Sequence, residues 1–99
     1  MNVVLSAEAE ADLEAIGDYI ARDNPGRAAT FVSALIAKCD ALAEMPLAFP
    51  MVERYATSGI RRRPYRDYLI FYRVEEVRIV VLHILHGARD YDRILSDQR

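Results

Sequence analysis

Two histidines and one tyrosine near the C-terminal end are the residues of this chain best suited to acid–base chemistry. His83 and His86 stand three residues apart in a run of β-branched and apolar residues. Side chains along a strand alternate between its two faces, so residues three apart point to opposite faces. We therefore do not expect the two imidazoles to work as an acid–base pair. We interpret each as a partly buried core or edge histidine.

Tyr91 is the remaining acid–base candidate, with Arg89 or Arg93 as a nearby cation that could stabilise developing negative charge. Tyr91, Ile94 and Leu95 also fall at helical spacing. That spacing predicts a short segment whose apolar side could cap a sheet. We favour packing as the role of the Tyr91 ring.

Nucleophilic and metal chemistry has little support in the sequence. Cys39, the single cysteine, falls on the apolar stripe of a predicted helix, and we interpret it as a core residue rather than a nucleophile. One cysteine excludes an internal disulfide framework, and no Cys/His spacing is typical of zinc. The sequence contains no glycine-rich loop that would cradle a phosphate. We therefore predict no metal and no cofactor.

Arginine supplies twelve of the thirteen basic residues. Guanidinium groups pair well with carboxylates, phosphates and aromatic faces. Five of the arginines in the predicted strand region are Arg61, Arg62, Arg63, Arg66 and Arg73. They could contact an acidic partner, hold nucleic-acid phosphates or form a solvated strand edge, and the residues alone leave these three readings open.

The charge of the chain is divided between its two halves. Residues 1–50 carry eight acids and three bases, whereas residues 51–99 carry seven acids and ten bases. Segregation of this kind indicates a binding surface. The length of 99 residues and the 53% hydrophobic content predict one globular domain over residues 1–99. The sequence has no signal peptide and no apolar run long enough to span a membrane, so we expect a cytoplasmic protein.

Two helices are predicted in the first half of the chain, after a short strand at Asn2–Leu5. Ser6 is placed to cap a helix over residues 7–22, whose first turns are rich in acids. The Asn24-Pro25 pair predicts the start of a second helix over residues 25–44. The connection is short, so the helices should form an antiparallel hairpin.

Three strands are predicted in the second half: Ile60–Tyr65, Tyr68–Val74 and Val77–Leu85. Pro64 cannot donate a ladder hydrogen bond, so its strand should lie at an edge of the sheet. A turn at Glu75-Glu76 would place Tyr72 opposite Ile79, Ile70 opposite Val81 and Tyr68 opposite His83. The preceding loop, Met45–Ser58, contains four apolar residues expected to pin it to the core: Leu47, Phe49, Met51 and Val52.

The predicted fold is α+β, with a helical hairpin packed on a small antiparallel sheet whose edge is joined by the N-terminal strand. Both faces of the two long strands are apolar in the middle. The hairpin can cover one face; the C-terminal segment, the proline loop or a partner chain must cover the other. We expect a partner there, and hence a free chain that is poorly soluble.

These elements, in this order, resemble the RelE/ParE superfamily of bacterial toxin–antitoxin systems, and most closely a ParE-type toxin. The resemblance covers essentially all 99 residues. It is carried by five segments in order: Ala7–Leu13, the Met-Pro…Phe-Pro loop at 45–50, Gly59-Ile60-Arg61-Arg62, Tyr68-Leu69-Ile70-Phe71-Tyr72-Arg73-Val74, and Ile84-Leu85-His86-Gly87-Ala88-Arg89-Asp90-Tyr91.

The resemblance implies a toxin that inhibits DNA gyrase and has no catalytic activity of its own. It implies a hetero-oligomer with a ParD-like, ribbon-helix-helix antitoxin, which alone would contact operator DNA. The alternatives are a ribosome-dependent mRNA endonuclease of RelE type, for which the strands lack lysine, and a non-toxic module that only binds the antitoxin.

The residues expected to serve these partners form two groups. The antitoxin group is Arg61, Arg62, Arg63, Phe71 and Arg73. The target group is Arg89, Asp90, Tyr91 and Arg93. An antitoxin tail with apolar anchors and several acids, folding on binding, would suit the arginine-rich strand.

Overall fold

The computed structural model describes residues 1–88 and 91–96. Strand β1 (Asn2–Leu5) leads into helices α1 (Ala7–Ala21) and α2 (Pro25–Asp40). A 3₁₀ turn (Ala41–Ala43), the proline loop and a second 3₁₀ segment (Glu53–Ser58) follow. Strands β2 (Ile60–Tyr65), β3 (Tyr68–Val74) and β4 (Arg78–His86) and the short helix α3 (Tyr91–Leu95) complete the described chain. No helix in the described part of the chain is both long and apolar enough to cross a membrane.

Both predicted helix starts are confirmed. The Ser6 hydroxyl oxygen accepts from the backbone N–H of Ala9 at 3.0 Å and donates to the carbonyl of Leu82 at 2.8 Å. The Asn24 side chain accepts from the N–H of Arg27 at 3.1 Å, and Pro25 opens α2. The Ser6 side chain thus satisfies a free backbone N–H at the start of α1 and also ties α1 to β4.

The sheet has the strand order β1-β4-β3-β2. Strands β2, β3 and β4 are antiparallel neighbours, and Pro64 lies in edge strand β2 as predicted. Strand β1 lies at the other edge, also as predicted, but it runs parallel to β4. The sheet is therefore mixed rather than wholly antiparallel.

The predicted register between β3 and β4 is wrong. Tyr72 lies opposite Val81, and Tyr68 lies opposite His86. The connecting turn lies one residue further along the chain than predicted: Val74 is paired to Ile79 and the N–H of Glu75 donates to the carbonyl of Arg78, so Glu76 and Val77 lie at its tip. Glu75-Glu76 carries no glycine or asparagine that would fix the position of a tight hairpin turn.

A β-bulge near Phe71 and Tyr72 adds a second shift of register. A bulge interrupts the alternation of side chains. As a result, His83 reaches α1, and His86 packs on Tyr68, whose ring contacts Phe31 of α2. Both histidines lie on the hairpin side, so the prediction that they point to opposite faces is wrong.

The sheet has an apolar core on each face. The hairpin covers the face that includes Ile70, Tyr72 and Ile84. The other face carries Phe71, Leu82 and Leu85, and the 3₁₀ segment and α3 cover it through Tyr55 and Leu95 respectively. The expectation that a partner must cover this face is wrong, because both covering segments belong to the chain itself. All of the side chains just named are at most 4% exposed.

The proline loop only partly follows its prediction. Phe49 packs against the hairpin-side core and Val52 against the opposite one. Leu47 and Met51 are instead 66% and 45% exposed. Two of the four apolar side chains therefore pin the loop, and the other two face solvent.

Candidate partner-binding site

The arginines of β2 hold parts of the chain together. Arg61 Nη1 donates to the carbonyl of Phe49 at 2.7 Å, and Arg63 Nη1 donates to the carbonyl of Lys38 at 3.1 Å. The Arg63 guanidinium also lies 4.8 Å from the centroid of the Phe49 ring. Both side chains remain half-buried, so they fix the loop and the end of α2 while keeping other N–H donors for a partner.

The other three predicted antitoxin residues lie on the opposite face. Arg62 Nη1 reaches the Tyr91 hydroxyl at 3.3 Å, and Arg73 Nε lies 3.6 Å from Glu75 Oε2. Phe71 has no exposed surface and lies 5.0 Å from the Tyr91 ring, centroid to centroid. The antitoxin group is thus split between two faces of the sheet, and α3 covers its only aromatic member.

The predicted target group is only partly described. Arg89 and Asp90 lie outside the described residues. The Tyr91 ring packs over Phe71, in agreement with the packing interpretation, and Arg93 is exposed on the same short helix. Asp92, which lies between Tyr91 and Arg93 in the sequence, accepts from Arg54 at 2.7 Å and from the Tyr55 hydroxyl at 3.1 Å. These hydrogen bonds tie α3 to the 3₁₀ segment.

His83 has a partner that the sequence did not indicate. Its Nδ1 lies 2.8 Å from Asp12 Oδ2, and the same oxygen accepts from the N–H of Ile84 at 2.9 Å. One α1 carboxylate therefore satisfies a buried imidazole and a backbone donor next to the bulge. Asp12 and His83 are more than seventy residues apart, and no local pattern links them.

Cys39 is a core residue, as predicted. Its side chain is 1% exposed, and burial, more than the nearby Asp40, raises the pKa of the thiol to about 12. The thiol is therefore neutral and unreactive in the folded chain. Within residues 1–88 and 91–96, no three His, Cys, Asp or Glu side chains cluster so as to hold a metal ion.

A concave surface lies on the hairpin side, where the helices meet the β2–β3 turn. We call it the aromatic groove; its volume is about 1210 Å³. Its lining comes from α1, α2, the β2–β3 hairpin and the end of β4 and includes Tyr19, Arg27, Phe31, Tyr65, Arg66, Asp67, Tyr68 and His86. Sequence analysis missed this groove because its members come from four separate segments, although the two tyrosines flanking the β2–β3 turn were a visible signal.

Aromatic contacts join the floor of the groove into one surface. The Phe31 ring lies 5.9 Å from Tyr65 and 5.5 Å from Tyr68, and His86 packs edge-on against Tyr68 at 5.3 Å. Burial, reinforced by Tyr19 and Asp67, raises the pKa of the Tyr68 hydroxyl. Tyr68 therefore stays a neutral phenol at physiological pH.

Cations lie over these rings. Arg27 is 5.7 Å from the centroid of Phe31, Arg66 is 5.8 Å from that of Tyr65, and Lys38 is 5.6 Å from that of Tyr65. Such cation–π contacts hold long side chains near a surface while leaving their N–H groups available. The arrangement offers an apolar floor with a basic rim, which is suited to binding rather than to a covalent reaction.

The small mixed sheet with a helical hairpin on one face is the architecture that the resemblance to the RelE/ParE superfamily implied. Residues 3–91 match the sequence profile of the family described as the ParE toxin of the type II toxin–antitoxin system, parDE. Because that match spans most of the chain, this protein belongs to the ParE toxin family.

The fold agrees with this assignment. The structure is similar to a chain of the solved "Chromosomal ParDE TA system from P. aeruginosa", with a TM-score of 0.69 and 23% sequence identity. The similarity covers 87% of this chain and 95% of that chain. No curated protein shows significant similarity to the sequence. As a toxin of a type II system, the chain has an antitoxin as its partner.

Proposed function

We propose that this chain stops growth by inhibiting DNA gyrase and that a ParD-like, ribbon-helix-helix antitoxin neutralises it. The proposal rests on one observation: residues 3–91 match the ParE toxin family. Gyrase inhibition needs a binding surface and no catalytic centre of the toxin's own. The described residues offer such surfaces: the aromatic groove and the exposed side of α3.

Two acid–base groups of the described chain are engaged in ways that support binding rather than RNA cleavage. His83 is buried against Asp12, and the Tyr91 ring packs on Phe71. General acid–base catalysis needs groups within hydrogen-bond reach of the same substrate atoms. His83 and Tyr91 instead lie on opposite faces of the sheet.

The target-binding surface is proposed to include Arg89, Asp90, Tyr91 and Arg93. Arg93 is the clearest member to test, since its side chain is exposed on α3 and makes no contact needed for the two cores. The antitoxin is proposed to contact Arg61, Arg62, Arg63 and Arg73. Phe71 could join that contact only if α3 moved away.

The test is a supercoiling assay with purified gyrase, relaxed plasmid, ATP and the purified chain. We expect loss of supercoiling or accumulation of cleaved DNA, and its reversal when the toxin is first mixed with its antitoxin. Arg93→Glu should weaken inhibition at least tenfold, while Arg78→Glu, the same charge change on an exposed arginine of β4, should not. Unchanged gyrase activity, together with rapid loss of translated mRNA in cells, would instead identify an endonuclease.

A further inference from the structure

The two edges of the sheet are protected to different degrees. Along β2, the N–H of Val52 donates to the carbonyl of Ile60 at 2.8 Å. Close by, the N–H of Arg62 donates to the carbonyl of Pro50 at 3.2 Å. Pro64, in the same strand, has no N–H to offer. The proline loop and Pro64 therefore hinder the addition of another strand at this edge.

The opposite edge, formed by β1, lacks this protection. Within residues 1–88 and 91–96, no segment pairs with the outer side of β1. Its sequence, Asn-Val-Val-Leu, contains no proline and no charged residue. Prolines and charges are the usual devices that keep one sheet edge from pairing with another. The outer side of β1 is therefore a template for a further strand.

A hydrogen bond of Ser6 shows which backbone groups of β1 point outward. The Ser6 N–H donates to the carbonyl of Val81 at 2.9 Å, toward β4. Backbone groups of alternate residues in a strand point to the same side, so those of Val4 also face β4. Those of Val3 and Leu5 therefore point away from the sheet, and each of these residues offers one N–H and one carbonyl.

This set of outward groups is complementary to itself. When two copies of β1 run antiparallel with Val4 opposite the partner's Val4, Val3 of each copy lies opposite the partner's Leu5. Residues paired in this way exchange both of their N–H···O bonds. The pairing therefore uses every outward N–H and carbonyl of both strands, about a two-fold axis at Val4.

The side chains of β1 suit the same pairing. Val3 and Leu5 pack against the hairpin-side core, so Val4 points to the other face, where it is 37% exposed. Across the two-fold axis the two Val4 residues form a non-hydrogen-bonded pair, in which the Cα atoms approach to about 4.5 Å. Contact between β-branched side chains in such a pair stabilises the sheet.

Charge does not oppose this pairing. The acids nearest to β1 in the sequence are Glu8 and Glu10, in the first turn of α1. Because the two strands are antiparallel, these acids lie at opposite ends of the paired strands in the two copies and do not face each other. At the other end of β1, Met1 and Val77 are 56% and 77% exposed and add apolar surface.

We propose that two copies of the free chain pair through their β1 edges, so that two four-stranded sheets become one continuous sheet. The occupant is a second copy because the outward groups of β1 match those of an identical antiparallel strand. The strand has only four residues, so we expect a dimer that dissociates on dilution. This inference does not depend on gyrase being the target.

Disulfide formation tests the register of the pair. Val4→Cys places two thiols opposite each other at the two-fold axis, where Cβ atoms come within about 4.5–5.5 Å. The matched control is Asn2→Cys, exposed on the same face of the same strand. In the proposed register its two thiols would lie about 13 Å apart along the strand. With a mild thiol oxidant, Val4→Cys should give a covalent dimer and Asn2→Cys should not. Cys39 is 1% exposed and cannot take part.

Sedimentation equilibrium measures the dimer without a cross-link. Val4→Lys brings two ammonium groups together at the axis and should weaken the dimer by about tenfold or more, because like charges directly opposite each other are unfavourable. The matched control is Leu47→Lys, the same kind of change at a 66% exposed side chain of the proline loop. It should leave the dissociation constant of the dimer within about twofold.

Amide exchange identifies what covers the edge. The N–H groups of Val3 and Leu5 should become protected as the concentration of the free chain rises, whereas that of Val4 is protected throughout. A chain that stays monomeric at high concentration would overturn the proposal, and so would equal cross-linking of Val4→Cys and Asn2→Cys. Protection of Val3 and Leu5 only when antitoxin is present would overturn it as well and would assign the edge to the antitoxin. None of these measurements involves gyrase, so they stand apart from the test of the target.

Discussion

At the scale of single residues, Cys39 links burial to the pH dependence of stability. Its pKa is about 12 in the folded chain, against an ordinary value of 9.0. Between these values the unfolded chain releases the thiol proton more readily than the folded chain does. The contribution of the neutral thiol is thus fully present below about pH 9 and is lost as the pH rises toward 12.

We therefore expect the free energy of unfolding, measured in urea, to fall above about pH 9. Burial also raises the pKa of Tyr72, which adds a loss of the same sign. Cys39→Ala isolates the cysteine, because it should be less stable at neutral pH but should lose less stability on going to high pH. Equal slopes for the two proteins would show that the thiol is not desolvated as the structure indicates.

The sequence predicted those roles of single residues that depend on other residues close by in the sequence. Ser6 and Asn24 cap helices, and Cys39 falls on an apolar stripe, because these roles follow from positions three or four residues away. Asp12 was not recognised, because its role depends on His83, a partner more than seventy residues distant. The same limit hid the aromatic groove, which no single segment forms.

At the scale of elements, α3 helps to cover the sheet face that lies opposite the helical hairpin. Leu95 is fully buried, and Tyr91 packs on Phe71. Leu95→Ala should lower the free energy of unfolding by roughly 2–5 kcal/mol, the usual range for truncating a buried leucine. Tyr91→Phe removes only a hydroxyl at 3.3 Å from Arg62 and should change stability by less than about 1 kcal/mol.

Urea unfolding measures both effects, and growth inhibition on induction separates packing from chemistry. If the Tyr91 ring only packs against the sheet, the Tyr91→Phe variant should remain toxic. A well-folded Tyr91→Phe chain without toxicity would show that the hydroxyl contacts or acts on the target and does more than pack.

The order of elements was predictable, but the register was not. Periodicity and caps fix where helices and strands lie. Register depends on the turn and the bulge, and Glu75-Glu76 carries no residue that selects a turn type. The bulge near Phe71 interrupts the alternation of side chains, so His83 and His86 both lie on the hairpin side. The direction of β1 was missed because nothing in four residues distinguishes parallel from antiparallel pairing.

At the scale of the whole molecule, the chain covers both faces of its own sheet. The hairpin buries one core, and α3 with the 3₁₀ segment buries the other. Exposed apolar side chains such as Tyr19, Leu47 and Met51 lie at the groove and the proline loop rather than on the sheet. The poor solubility expected from an open sheet face therefore has no basis in this fold.

We expect the free toxin chain to fold by itself, so that antitoxin binding adds stability without completing the core. Ligand present at a hundred times its dissociation constant adds about 2.7 kcal/mol by mass action alone. Amide exchange checks this directly: β3 and β4 should be strongly protected in the free chain, because their donors lie between two covered faces. Free toxin that aggregates, with fast exchange at Phe71 until antitoxin is added, would mean that α3 does not cover the sheet and that the antitoxin does.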